Sequence, residues 1–180
     1  MYIINKTLSD TVSKKIDKML AEAYENVEDG NFDDALKLYD LALSEDPQNI
    51  SALVDKGVTL QNLGRFSLAI RSYDKALSLS PENLDALINK GSAFHSAQKY
   101  SQAIECYDTA LKIDKKCAMA LAYKGLSLGE LGELQNAIKH FKKALSIDSQ
   151  FELASISKEI AQDLLKSIKA EKKAQLSKKL

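Results

Sequence analysis

The sequence predicts an all-α protein, a stack of antiparallel helix pairs closed by one further helix at the C-terminal end. Three observations carry that expectation. One pattern returns with a period of 34 residues, the mark of an array of supersecondary units. Inside every copy two small residues bracket an aromatic ring at spacings of four and three: Ala35, Tyr39, Ala42; then Ala69, Tyr73, Ala76; Ala103, Tyr107, Ala110; and Ala137, Phe141, Ala144. That spacing puts all three on one helical face. Finally, Gly57, Gly91 and Gly125 fall in the middle of helical segments, where glycine costs about 1 kcal/mol relative to alanine, so the repeated cost implies a close approach of two helices.

The elements follow in order. Residues 1–15 form an N-terminal extension, and four repeats occupy 16–49, 50–83, 84–117 and 118–151. First helices are expected near 16–29, 50–63, 84–97 and 118–131. The first of these fits least well, since Glu22 and Asn26 stand where copy two has Lys56 and Leu60. Gly30, Gly64 and Gly132 mark the turn inside a pair, with Gln98 in that place in copy three. Second helices follow as DDALKLYDLALSEDP, SLAIRSYDKALSLSP, SQAIECYDTALKIDK and QNAIKHFKKALSIDS. Pro47 and Pro81 stop the first two, Lys115 and Ser149 take the proline's place in the others, and Asn49 and Asn83 are placed to cap the next helix. From 152 to 180 an amphipathic helix with a lysine-rich tail closes the array. Its stripe of Leu153, Ile156, Ile160, Leu164 and Ile168 is expected to cover the last exposed core.

Over Ile16 to Phe151, in the order of its small residues, large residues and loop prolines, the chain resembles the tetratricopeptide-repeat family. The resemblance implies a right-handed superhelical solenoid of four helix pairs plus a C-terminal capping helix, with a concave groove lined by first helices. It implies a protein-interaction adaptor or scaffold that binds a partner segment there. Carried over place by place, the groove is lined by Leu20, Val54 and Ile88, by Asp55, Asn89 and Tyr123, and by Tyr24, Val58, Ser92 and Leu126, bordered by Asp17, Asp85 and Met119. This reads as an apolar strip edged with carboxylates, suited to an apolar or amphipathic protein segment carrying a few basic residues. The family's carboxylate clamp is not reproduced: of the clamp places, Asn89 alone fits, and Asp55 and Asp85 repel an anionic tail.

Charge and composition remove other classes. The 25 basic and 25 acidic residues cancel, so no global field draws the chain to nucleic acid or membrane. The C-terminal lysines are few and lack an aromatic residue to stack on bases. Charged residues interrupt every apolar run short of a membrane span. Two cysteines, Cys106 and Cys117, without CxxC spacing, and a start lacking a secretion signal lead to the expectation of a reduced, cytoplasmic protein. Neither His95 nor His140 has metal-ligand neighbours in sequence, and no phosphate loop or nucleophile motif occurs, so no cofactor, metal or enzymatic activity is expected. The recurring Lys56, Lys90 and Lys124 are read as stems over apolar surface with solvated ends rather than as an anion site. The alternative function is structural: weak homo-oligomers in which the basic C-terminal helix meets the acidic first repeat, where Glu22, Glu25, Glu28, Asp29, Asp33 and Asp34 cluster.

Overall fold

The computed structural model describes residues 2–177. Among them it forms nine α-helices and no strand: α1 (Tyr2–Glu28), α2 (Phe32–Glu45), α3 (Ile50–Asn62), α4 (Phe66–Leu79), α5 (Leu84–Ser96), α6 (Tyr100–Ile113), α7 (Ala118–Glu130), α8 (Leu134–Ile147) and α9 (Glu152–Ser177). Two compact units divide within α5, one ending at Ala93 and the other starting at Phe94.

Helix ends follow from the local chemistry. Asn49 and Asn83 accept the backbone N–H of Ala52 and Ala86 at 3.0 and 2.8 Å, capping α3 and α5 as their spacing predicts. Cys117 occupies the same place in its repeat, and its Sγ accepts from Ala120 N at 3.5 Å, so it caps α7. The turn inside each pair puts Gly30, Gly64 and Gly132 at φ of 79°, 69° and 77°. Gln98 takes the same left-handed turn at φ 59°. One difference concerns α1, which starts at Tyr2 rather than near residue 16. No glycine or proline stands between Tyr2 and Glu28 to stop it, and the repeat pattern fixes only its later part.

In the first unit α1 packs on α2, α2 on α3 and α3 on α4. Tyr39 is buried with Ala23 and Ala35, while Tyr73 is fully buried among Leu53, Leu60, Ala69 and Ala76. In the second unit α7 packs on α6 and α8, and α9 lies against α8 and α7 around the buried Phe141. Two of the mid-helix glycines, Gly57 and Gly125, do what their cost implies. A Cβ on Gly125 would lie 2.6 Å from Phe141 Cε1, and one on Gly57 would overlap the Tyr73 ring.

The face α9 turns to its neighbours is not the expected one. Ala154 and Ala161 are buried and Leu165 and Ile168 pack beside them, whereas Leu153, Ile156, Ile160 and Leu164 stay between 37% and 63% exposed. Packing selects the small residues because they sit 34 places after the buried Ala120 and Ser127, so α9 docks as the first helix of a further repeat. The lysines at 178 and 179 lie outside the described residues.

Candidate functional site

First helices of the first unit present a polar, acidic face. Asp17 and Asp85 are exposed, Asn89 and Ser92 half-buried, and Tyr24 is 60% exposed, its hydroxyl donating to Glu28, which pushes the phenol up. Ser92 Oγ accepts from Gln61 Nε2 at 2.9 Å, which fixes its position. Asp55 is half-buried at the rim of a cleft of about 240 Å³ whose other walls include Ser51, Asn83 and Asp85. Its Oδ2 accepts from Ser51 Oγ at 3.2 Å. Burial pushes the Asp55 carboxyl above its ordinary range, with the Ser51 hydrogen bond opposing.

The apolar strip is largely absent from this face. Val54 and Ile88 are buried, Val54 within the cluster around Tyr73, and their row continues at Ala122, which is fully buried in the second unit. Leu20 and Val58 are partly covered by the same clusters. These side chains point under neighbouring helices because each copy can bury its apolar face only against the next. In the second unit Met119 is 47% exposed, Leu126 packs partly onto the Phe141 cluster, and Tyr123 is half-buried with its ring 6.1 Å from that of Tyr107.

The lysine row is neither an anion site nor a set of solvated ends. Lys56 pairs with Asp40, Lys90 with Asp74 at 2.6 Å and Lys124 with Asp108 at 2.5 Å, each bridge joining a second helix to the following first helix. The sequence carries a signal for these pairs, an aspartate sixteen residues before each lysine. A larger cleft of about 630 Å³ over α2, α3 and α4 has two of its cations matched internally, Lys56 by Asp40 and Arg65 by Asp33 at 3.1 Å. His95 Nδ1 lies 2.9 Å from Ser127 Oγ, and burial holds the imidazole below its ordinary value. Among the described residues no cluster of three His, Cys, Asp or Glu side chains is placed to hold a metal, and no helix is long and apolar enough to cross a membrane.

The fold is that of a helical-repeat protein built from antiparallel helix pairs. Profiles of the tetratricopeptide repeat match residues 18–51, 50–83, 84–117 and 120–151, and the chain belongs to that family. Two crystal structures of MamA are similar to it. One is 26% identical with a TM-score of 0.73, covering 84% of this chain and 82% of the other; the second is 27% identical with a TM-score of 0.72, covering 85% and 96%. The first tetratricopeptide domain of Spaghetti (RPAP3), solved bound to an HSP90 peptide SRMEEVD, shares the fold at 22% identity and a TM-score of 0.63, over 67% of this chain and 95% of that one. No curated protein sequence matches the chain significantly.

Proposed function

We propose that the chain is a protein-interaction scaffold whose first-helix face takes a partner segment through basic side chains set beside apolar ones. Asp55 carries the reading. It is a half-buried carboxylate whose desolvation is only partly offset by one hydroxyl donor, at the rim of a cleft that also presents Asp85. A lysine or arginine entering that cleft would form a charge-assisted pair where water screens least. Tyr24 and Asp17 on α1 and Asn89 and Ser92 on α5 supply further contact on the first-helix face of the same unit. The related domain that holds an acidic peptide supports the general mode, a peptide on a tetratricopeptide surface, but Asp55 and Asp85 at clamp places argue against an acidic tail here.

The test is fluorescence anisotropy with two peptide sets, one basic and apolar, the other ending in acidic residues and a free carboxylate, against the wild type and Asp55→Asn/Asp85→Asn. The basic set is expected to bind, and the double substitution to weaken it at least tenfold. The same substitution should raise the melting midpoint at neutral pH. With its pKa raised on folding, Asp55 adds stability below the usual carboxylate range that is lost as pH rises through its titration, and asparagine has no such loss. Preference for the acidic set, or unchanged affinity in the variant, contradicts the reading.

A further inference from the structure

Among the described residues the exposed stripe of α9 has no counterpart on another helix. Leu153, Ile156, Ile160 and Leu164 recur at spacings of three, four and four, and each keeps more than a third of its surface in water. In the preceding copies the row that holds Ile156 is the buried one, of Val54, Ile88 and Ala122. Among the described residues of the second unit none covers this face. At Lys166, 34 residues after the turn glycine Gly132, α9 does not reverse but continues as helix to Ser177. Glu159 stands where Gly57 and Gly125 admit a ring from the second helix of their pair, so that docking place is filled.

Beside the stripe runs a row with a seven-residue spacing: Glu152, Glu159, Lys166, Lys173, all exposed. Seven residues is nearly two helical turns, so the four lie along one edge of the apolar seam, where a coiled coil carries its orienting charges. Read in one direction the row is Glu, Glu, Lys, Lys. Laid parallel against itself it sets like charges together; laid antiparallel, Glu152 meets Lys173 and Glu159 meets Lys166 of the second copy, twice over. Within one residue of that register, Ile160 of each copy faces Leu164 of the other across the seam. Asp163, the remaining carboxylate near the centre, is already paired with Lys166 of its own helix at 2.9 Å, an exposed pair that exchanges partners at little cost.

We propose that α9 is the contact of a two-fold homodimer, two copies joining antiparallel through this apolar seam and its self-complementary charge row. The contact is isologous and therefore closes at two copies. The acidic first repeat is a poorer occupant. Lys18 is exposed there at the place where Ala52, Ala86, Ala120 and Ala154 are buried, and Asn26 replaces the buried Leu60, so these described places offer the stripe polar groups instead of an apolar seat. The inference is independent of the partner-binding reading, since none of its residues lies in the first unit.

Sedimentation equilibrium over a concentration series, with helicity checked by circular dichroism, tests it. The wild type should dimerise and Ile160→Lys should be monomeric. Glu152→Lys/Glu159→Lys alone and Lys166→Glu/Lys173→Glu alone should each lose at least tenfold in dimer affinity, and an equimolar mixture of the two should recover it. Asp33→Asn/Asp34→Asn, in the first repeat, should dimerise like the wild type. A wild type monomeric throughout, charge variants that dimerise unaided, or oligomers that grow beyond two with concentration would each overturn the proposal.

Discussion

Ile88→Lys is expected to unfold the chain near ambient temperature rather than simply to release a partner. Ile88 is 6% exposed on α5, so a lysine there must either bury an ammonium group or force the helix away from its neighbours. Burial can depress a lysine pKa by several units, and each unit is 1.36 kcal/mol, so the cost at neutral pH is about 3 kcal/mol or more. The sign of its pH dependence is a check. The folded variant binds the proton less tightly than the unfolded chain, so its stability deficit should shrink as pH rises towards the ordinary lysine range. Val54→Lys should be milder, because Val54 borders the cleft that holds Asp55 and Asp85, and the ammonium group can reach water and those carboxylates. Thermal unfolding of both variants between pH 7 and 10 (chosen, roughly, to span lysine titration) gives the comparison. Equal, small losses would mean that both side chains face water.

Gly125→Leu is the other large effect. A Cβ alone would stand 2.6, 2.9 and 3.0 Å from three atoms of the Phe141 ring, which is 2% exposed and has nowhere to move without opening the cluster around it. Overpacking of that kind costs about 3 kcal/mol at the upper end of its usual range, more than the gain in helix propensity of about 1 kcal/mol returns. The smaller Gly125→Ala should also destabilise, and adding Phe141→Leu should recover part of the loss, a coupling that a double-mutant cycle reads directly. Copy one holds the natural version of this exchange, with Ala23 fully buried at the glycine's place beside Tyr39. Denaturant midpoints that are unchanged in Gly125→Leu would remove close packing as the reason for the glycine.

These two sites also mark where the sequence was legible and where it was not. Packing of Gly57 and Gly125 on the rings, the asparagine caps and the left-handed turns at Gly30, Gly64 and Gly132 each express a local rule restated in every copy, so the spacing alone located them. Burial of Val54 and Ile88 was not legible in that way. Whether an apolar side chain on a first helix meets water or the neighbouring pair depends on a rotation of a few tens of degrees, which periodicity does not resolve. In α9 the same rotation misled in the opposite sense. Its strongest apolar stripe suggested a cap, but the buried positions are Ala154 and Ala161, and carrying the 34-residue register one copy further would have found them. The acidic character of Asp17, Asp55 and Asp85 was legible throughout, because charge needs no orientation to be read.

The central claim, that the first-helix face around Asp55 receives a basic and apolar protein segment, is tested most directly by amide chemical-shift mapping during titration with such a peptide. The account predicts saturable shifts centred on Ser51, Asp55, Asp85 and Asn89, lost in Asp55→Asn/Asp85→Asn and absent with a peptide ending in acidic residues. Shifts confined to the second helices, or a stronger response to the acidic peptide, would contradict it.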